Sequence, residues 1–324
     1  MEVKSYSDYS AEAVVSLQNL SLPTDLYPSL YNPIVYALDC GGKRLRPVLV
    51  MMACEAMGKP CTEAMNAAMG MEMFHNFTLL HDDVMDNSPM RRGRESVFKS
   101  YGINAAILSG DTMLTLATQL VSKVPDAVLR TVLDTFNKAA IDVYEGQALD
   151  MDFEKLDRVS VEDYIKMVGL KTGALLAASA SIGALIGGAD AVKAKAFYDF
   201  GYNLGLAFQI HDDFLDVYGD STTFGKPIGG DILNNKKTFL LCTALEHKTA
   251  SEEALVAAMA MPASPLKIKT VTNIFDSLNL GDACRAACSK YCGLALKALK
   301  KADLEPQWRE AFTKLAEKLT KRKK

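Results

Sequence analysis

Two matching stretches, HDDVMD at His81–Asp86 and HDDFLD at His211–Asp216, stand 130 residues apart in this chain of 324 residues. A largely apolar run precedes each of them, NFTLL before the first and GLAFQI before the second. In a helix, residues i and i+4 project from the same face about one turn apart. These segments are therefore predicted to be helical, with the first and last aspartates of each stretch converging.

The converging aspartates predict a magnesium site. Asp82 pairs with Asp86 in the first stretch, and Asp212 pairs with Asp216 in the second. At about 4 Å and an effective dielectric constant of about 20, two such carboxylates repel by about 4 kcal/mol, and a bound cation reverses that sign. Carboxylate oxygens suit Mg²⁺, which keeps several waters and bridges to substrate phosphates. Two such pairs facing each other would hold a metal cluster against a diphosphate.

Cationic clusters beside the aspartate motifs predict further contacts to a diphosphate. The sequence GGKRLRP at Gly41–Pro47 places three cations after a glycine pair, and NSPMRRGR at Asn87–Arg94 adds three arginines after the first aspartate motif. Arginine offers a planar fork to phosphate oxygens, while lysine acts as a point charge. Further cations stand at Lys171, Lys226, Lys236 and Lys237.

Helical signals dominate the rest of the sequence. Apolar positions recur at helical spacing in 127–143, 191–209 and 307–319, and no segment shows the sustained period-two alternation of a strand. No low-complexity linker divides the chain. We predict an all-α fold, built as a single large helical bundle of roughly ten or more helices and forming one domain over residues 1–324. The glycine-rich segment 218–235 is long for a helix connection, which favours a functional role as a lid.

Composition and charge exclude several other classes of protein. The net charge of −3 and the pI of about 5.9 give no electrostatic reason to expect a nucleic-acid partner. The apolar stretch 174–188 is short and rich in small residues, which favours a buried core helix over stable membrane insertion. The start, MEVKSYSDYS, lacks the apolar region of a signal peptide, and the seven cysteines show no paired spacing. We therefore expect a cytoplasmic protein.

Taken together, these motifs resemble the trans-prenyltransferase family, the head-to-tail isoprenyl diphosphate synthases or polyprenyl synthetases. The resemblance runs from Gly41 to about Thr238 and rests on pieces in the family's order. These pieces are GGKRLRP, EMFHNFTLLHDDVMDNSPMRRGR, Gly110-Asp111, EGQALD, LKTG, FQIHDDFLD and FGKPIGGDILNNKKT. It implies an all-α bundle around a deep central cavity, a homodimer, and three Mg²⁺ ions when the allylic diphosphate is bound.

The resemblance also assigns roles to individual residues. Those that resemble Mg²⁺ ligands are Asp82, Asp83, Asp86, Asp212 and Asp216, with Asp213 supporting them. Those similar to contacts of the allylic diphosphate are Arg91, Lys171, Lys226 and Lys236. Those matching the isopentenyl diphosphate pocket are Lys43, Arg46, His75 and Arg92, while Thr172 and Gln209 match residues beside the reacting carbons. The basic end, Lys321–Lys324, resembles a tail that closes over the site.

The implied reaction has three steps: ionisation of an allylic diphosphate, attack by the double bond of isopentenyl diphosphate, and loss of a proton to the departing diphosphate. The implied allylic donors are dimethylallyl, geranyl and farnesyl diphosphates. Residues four, five, eight and eleven positions before the first aspartate set the depth available to the product, and they are Thr78, Phe77, Phe74 and Met71. An aromatic residue at five and a small one at four resemble geranylgeranyl (C20) synthases, with a farnesyl (C15) product as the alternative. Phe74 is either a second wall or an ordinary core residue.

Three other kinds of protein share part of this pattern. A class I terpene cyclase uses one DDxxD motif, but it normally has a different second metal motif and lacks GGKRLRP. A non-catalytic subunit of a hetero-oligomeric synthase commonly loses aspartates from one motif, whereas both are intact here. A scaffold that only binds divalent cations has no need for the lysine and arginine clusters.

Overall fold

The computed structural model describes residues 3–219, 228–246 and 251–320, and their regular structure is almost entirely α-helical. The first helices are α1 Tyr6–Gln18, α2 Pro28–Asp39, α3 Leu45–Ala56, α4 Met65–Met85, α5 Val97–Tyr101, α6 Ile103–Val121, α7 Asp126–Glu154 and α8 Val161–Val168. The remaining ones are α9 Ala174–Ile186, α10 Ala191–Tyr218, α11 Gly230–Leu233, α12 Phe239–Glu246, α13 Ser251–Met259, α14 Pro265–Ser277, α15 Leu280–Leu299 and α16 Pro306–Thr320. The predicted all-α fold is confirmed.

The shorter elements join these helices. Two 3₁₀ turns span Cys61–Ala64 and Lys300–Ala302, and a π-helical turn at Gly169–Gly173 links α8 to α9. Strands β1 (Met90–Arg91) and β2 (Arg94–Glu95) form one small antiparallel hairpin after α4. The hairpin carries the arginine-rich sequence that follows the first aspartate motif.

Local sequence explains where several helices begin. The Ser160 hydroxyl accepts a hydrogen bond from the Asp163 amide at 3.0 Å, and so caps α8. Ser264 caps α14 in the same way, and proline follows it at the first helical position, where no amide proton is needed. The three predicted helical segments, 127–143, 191–209 and 307–319, all lie inside helices, and the second continues through the second aspartate motif.

The chain divides into two compact units. One comprises Met1–Asn137, Ala178–Tyr198 and Lys301–Ala311, and the other comprises Lys138–Ala177, Asp199–Lys300 and Phe312–Lys324. The single domain over residues 1–324 stays a prediction. Each aspartate motif lies within one unit, the first motif in the first unit and the second motif in the second.

In the first unit, α4 packs closely against α6 and α3. Gly70 makes the contact with α6 possible, because a methyl group added there would lie 2.7 Å from a Val121 methyl carbon. Phe74 and Met51 are fully buried in the same core. This packing fixes the position of α4, whose C-terminal end carries the first aspartate motif.

In the second unit, one apolar cluster lies beneath the second aspartate motif. It joins buried side chains of α8, α10, α12, α14 and α15, including Tyr164, Ile210, Leu240, Phe275 and Cys284. Ile210 immediately precedes the motif, so this core fixes the direction in which the aspartates project.

Within the described residues, the segment Val161–Ile186 alone is long and apolar enough to cross a membrane, with a mean hydropathy of 1.4. Of its most apolar window, 83% is buried inside the protein, as in the core helix of a globular fold. The sequence 174–188, predicted to be a core helix, supplies α9 at the end of this segment.

Candidate active site

The first aspartate motif lies at the C-terminal end of α4. The helix ends at Met85, and the Asp86 amide donates a hydrogen bond to the Asp82 carbonyl at 2.8 Å, which keeps the last turn closed. Asp82 and Asp86 are therefore one helical turn apart, as predicted. Asp83 projects elsewhere and is only 3% exposed.

Arg91 of the hairpin binds this motif directly. Its Nε donates to Asp83 Oδ1 at 2.7 Å, and a terminal nitrogen donates to Asp82 Oδ2 at 3.2 Å. Burial lowers the pKa of Arg91, but its hydrogen bond and ion pair with Asp83 outweigh that effect and raise the pKa. Asp83, predicted to bind metal, thus serves here as the partner of an arginine predicted to bind diphosphate.

The Arg92 side chain packs against the glycine pair that precedes α3. Gly41 and Gly42 have φ values of +72° and +122°, which side chains rarely adopt. The Arg92 guanidinium donates to the Gly41 carbonyl, and a methyl group on Gly42 would lie 2.6 Å from the guanidinium carbon. Only glycine fits both the backbone and this close contact.

Between the two predicted pocket cations of this loop, Arg44 points inward. It is 4% exposed, and its terminal nitrogen donates to Glu72 Oε1 at 2.7 Å. Asn76, one turn along α4, donates to the Glu72 carbonyl at 2.8 Å and to Oε1 at 3.4 Å. Sequence reasoning missed this pair. The signal was an acidic residue, Glu72, in an otherwise apolar stretch of α4.

Three of the four predicted isopentenyl diphosphate residues, Arg46, His75 and Arg92, interact electrostatically in the first unit. Burial lowers the pKa of Arg46 to about 10. Burial also lowers the pKa of His75 well below 6.5, and the charges of Arg46 and Arg92 lower it further. His75 is therefore neutral near pH 7. Lys43 is exposed, and its carbonyl accepts a hydrogen bond from the Tyr6 hydroxyl.

The second aspartate motif lies near the end of α10. Asp216 is 7% exposed, and its Oδ2 accepts a hydrogen bond from the Asp231 amide at 3.0 Å. Its carbonyl accepts another from the Gly229 amide at 2.7 Å. These bonds fix the entry to α11, while Asp212 on the preceding turn is partly exposed.

Asp213 lies between Asp212 and Asp216 in the sequence, and its side chain is held by hydrogen bonds within the second unit. Its carboxylate is 3% exposed and accepts hydrogen bonds from the Tyr164 hydroxyl at 2.6 Å, the Phe239 amide at 2.9 Å and the Gln209 side-chain amide at 3.1 Å. Burial, with a smaller contribution from the charge of Asp231, raises the pKa of Asp213 to about 7. The supporting role of Asp213 stays a prediction, and these contacts show how the carboxylate is held.

The π-helical turn carries two more predicted site residues. Lys171 Nζ donates to Asp150 Oδ2 at 2.5 Å, and the Thr172 hydroxyl donates to Gln209 Oε1 at 3.3 Å. Thr172 and Gln209, both predicted to lie beside the reacting carbons, are thus in contact. Asp150 belongs to the EGQALD motif but was not predicted to be a site residue.

Two further predictions concern cations near the ends of described ranges. Lys236 is exposed just after α11, and its amide donates to the Asp231 carbonyl at 2.9 Å. Lys226, most of the predicted lid, and the basic tail Lys321–Lys324 lie outside the described residues.

The residues predicted to limit the product lie on α4 above the first motif. The Phe74 and Phe77 rings meet edge to face, with centroids 5.4 Å apart, and Phe74 contacts Phe136 at the same separation. Phe77 also contacts His81, with centroids 4.8 Å apart. The Thr78 hydroxyl donates to the His75 carbonyl of its own helix. Phe74 is fully buried, and Phe77 is 6% exposed.

The donor sets of the two motifs fit magnesium. In the described parts of the chain, no three histidine, cysteine or carboxylate groups converge into a complete protein-only metal site. Mg²⁺ does not require one, since it commonly takes one or two carboxylates and fills its shell with waters and substrate phosphates. The carboxylate oxygens of each motif are the hard ligands that a cation such as Mg²⁺ selects.

Comparison with known proteins places this chain in a family. The polyprenyl synthetase family model matches residues 27–278. A geranylgeranyl diphosphate synthase of Methanosarcina mazei is 39% identical over 247 residues, 76% of this chain and 75% of that protein. A geranylgeranyl pyrophosphate synthase of Geoglobus acetivorans is 37% identical over 305 residues, 90% of this chain and 91% of its own length. A crystal structure of a geranylgeranyl pyrophosphate synthase superimposes with a TM-score of 0.93 at 38% identity, covering 99% of this chain and 100% of that one. The chain therefore belongs to the polyprenyl synthetase family and is a prenyltransferase.

Proposed function

We propose that this prenyltransferase condenses isopentenyl diphosphate with dimethylallyl, geranyl and farnesyl diphosphates, and releases geranylgeranyl diphosphate as its main product. The observation that carries the proposal is the order of groups along α4. His75, Phe77 and Asp82 lie within about two turns of this helix, so one helix would supply a substrate-pocket residue, an aromatic wall and a metal ligand. The geranylgeranyl synthases among the relatives favour the same product.

The carboxylates of the two motifs would hold Mg²⁺, through Asp82, Asp86, Asp212 and Asp216. When bound, the metal neutralises charge on the allylic diphosphate and so makes it a better leaving group. Four cations of the chain, Arg91, Lys171, Lys226 and Lys236, are proposed to contact the remaining diphosphate oxygens. Two of these start from ion pairs, Arg91 with Asp83 and Lys171 with Asp150, so binding requires them to exchange a carboxylate for a phosphate.

The second substrate binds through a different set of groups. Lys43, Arg46 and Arg92 supply positive charge for isopentenyl diphosphate, and neutral His75 supplies a ring N–H donor. Because His75 carries no charge near pH 7, it binds phosphate oxygen by hydrogen bonding and not by ion pairing.

The remaining groups act on the reacting carbons. Thr172 and Gln209 are hydrogen-bonded to each other, which holds their oxygens in fixed positions beside the developing cation. Fixed oxygen dipoles stabilise positive charge without reorganisation during the reaction. The departing diphosphate accepts the proton that is lost after carbon–carbon bond formation, so no side-chain base is required.

We also propose that the protein is a cytoplasmic homodimer. Helix α6 exposes three large apolar side chains, Ile103 at 54%, Ile107 at 43% and Leu108 at 58%. Ile103 and Ile107 are one turn apart on the same face of α6, and exposed apolar side chains that cluster in this way are typical of a protein interface. Light scattering coupled to size exclusion tests the proposal, since a mass of about twice 35.3 kDa is expected.

The decisive experiment on the reaction is a product-length assay. Purified protein receives isopentenyl diphosphate with each allylic donor, with and without Mg²⁺, and the dephosphorylated alcohols are sized by chromatography. Geranylgeraniol that forms only with the metal is expected. Farnesol alone would keep the reaction and correct the product length. No elongation with any donor would favour the non-catalytic subunit.

A further inference from the structure

One buried carboxylate underlies the cationic pocket of the first unit. Glu72 is 1% exposed and forms an ion pair with Arg44 at 2.7 Å. Its charge also favours the protonated forms of Arg46 and Arg92. Three guanidinium groups of the pocket region therefore share one counter-charge. The family motifs gave no function to Glu72 or Arg44 in the sequence analysis.

The backbone at Arg44 links this ion pair to the pocket. Arg44 has a φ of +49°, in the left-handed region that a long side chain seldom adopts, and α3 begins at the next residue. Its side chain makes a second buried contact, to the Leu38 carbonyl. These contacts hold the turn in its unfavourable conformation, and that turn sets the directions of Lys43 and Arg46 on either side.

The local hydrogen bonding is incomplete. In the described part of the chain, Glu72 Oε2 and the Nε atoms of Arg44 and Arg46 are buried without a hydrogen-bond partner. Buried polar atoms without partners are rare in folded proteins and call for an explanation. These open atoms belong to charged groups of the pocket region, where a substrate or a water would complete the hydrogen bonding.

We propose that Glu72 is a positioning residue of the isopentenyl diphosphate pocket. Its carboxylate holds Arg44 and balances Arg46 and Arg92, so that the cations stay assembled before an anionic substrate arrives. This inference rests on the proposed function. It predicts that loss of the carboxylate weakens isopentenyl diphosphate binding, even though loss of a negative charge beside a cationic pocket would by itself strengthen the binding of an anion.

The two effects of removing the Glu72 charge change the affinity for isopentenyl diphosphate in opposite directions, so Glu72→Gln tests the proposal. Calorimetry with isopentenyl diphosphate alone measures binding without turnover, and steady-state assays give the KM of each substrate. We expect the dissociation constant of isopentenyl diphosphate to rise about ten-fold, with little change in the KM of the allylic donor. Glu55→Gln is the matched control, because the Glu55 carboxylate, in the same unit, has a side chain only 7% exposed and binds the Tyr9 hydroxyl and the Cys61 amide. It should leave both substrates unaffected.

A double variant separates positioning from stability. Replacing Arg44 and Glu72 together with methionine removes one positive and one negative charge, so the net charge of the pocket region is unchanged and the fold is expected to be retained. If Glu72 positions the pocket, the double variant melts near the wild-type temperature but still binds isopentenyl diphosphate weakly. Wild-type affinity in this variant, or tighter binding in Glu72→Gln, would overturn the inference. Failure of the wild-type protein to elongate any donor would instead overturn the proposed function.

Discussion

The backbones of Gly146 and Lys171 lie in direct contact. A methyl group added to Gly146 on α7 would lie 2.3 Å from the Lys171 nitrogen and 2.7 Å from its Cα. A methyl group on Gly205 of α10 would likewise lie 2.6 Å from the Gly173 Cα, at the end of the same turn. The π-helical turn is thus confined between two helices at positions where only glycine leaves room. π-turns of this kind are frequent at functional sites, and this one places Lys171 and Thr172.

We therefore expect Gly146→Ala to displace the π-turn and to lower kcat by on the order of 100-fold, since a shift of about 1 Å in a positioning group has effects of this size. Single-turnover assays with geranyl diphosphate measure the effect. Gly183→Ala is the control, because a methyl group there would lie 2.1 Å from the Val50 carbonyl in the first unit. Both variants should melt at lower temperature, and only the first should lose catalysis. Equal losses of kcat in both would show that the contact at Gly146 is merely structural.

The second prediction concerns the metal. Asp212→Asn removes a proposed charged ligand on the partly exposed side of the second motif, so we expect kcat to fall by about 100-fold or more and the Mg²⁺ requirement to rise. Activity is measured against Mg²⁺ concentration after the protein has been treated with a chelator. Asp134→Asn, an exposed carboxylate on α7, serves as the control. An unchanged Mg²⁺ dependence in Asp212→Asn would exclude this residue as a ligand.

The third prediction follows from the lowered pKa of His75. Burial and the surrounding charges of Arg46, Arg92, Arg91 and Arg44 disfavour its protonation in the folded protein. Above the unfolded pKa of about 6.5, both states hold a neutral ring and His75 does not affect stability. Below that pKa the unfolded state binds a proton at His75 that the folded state does not bind, so the free energy of unfolding falls as the pH drops.

Urea titrations at pH 8, 6 and 5 measure this effect. The decrease in the free energy of unfolding from pH 8 to pH 5 should be smaller in His75→Gln than in the wild type, because glutamine cannot take up the proton in either state. Identical pH dependence in the two proteins would mean that His75 is protonated as easily in the folded state as in the unfolded one.

The fourth prediction concerns product length. Phe77→Ala removes the proposed aromatic wall, so products longer than C20 are expected by chromatography of the released alcohols. Phe74→Ala tests the alternative wall. Phe74 is fully buried between Phe77 and Phe136, so its removal should leave a cavity that costs about 3–5 kcal/mol of stability. Longer products from Phe74→Ala, but not from Phe77→Ala, would move the wall to Phe74.

The helical fold and the two aspartate motifs followed from the sequence because both depend on local spacing. Apolar periodicity marks helices such as α7 and α10, and the i,i+4 rule alone places Asp82 and Asp86 on one turn. The roles of Arg44 and Asp150 did not follow, since each depends on a partner, Glu72 or Lys171, that lies 21 to 28 residues away. The π-turn was also missed, because nothing in the letters GLKTG distinguishes it from an ordinary helical turn.

Asp213 accepts three hydrogen bonds within the fold, so it is constrained by stability, whereas Asp212 is constrained by its proposed role in catalysis. A descendant of this chain that abandoned catalysis and survived as a partner subunit would be free to lose Asp212. It would still have to keep Asp213, because without that carboxylate the Tyr164 hydroxyl and the Phe239 amide would be buried with no acceptor. Tolerance to mutation therefore differs between two adjacent residues of one motif. A relative that keeps Asp213 but has lost Asp212 and Asp216 is expected to keep the fold without the catalytic activity.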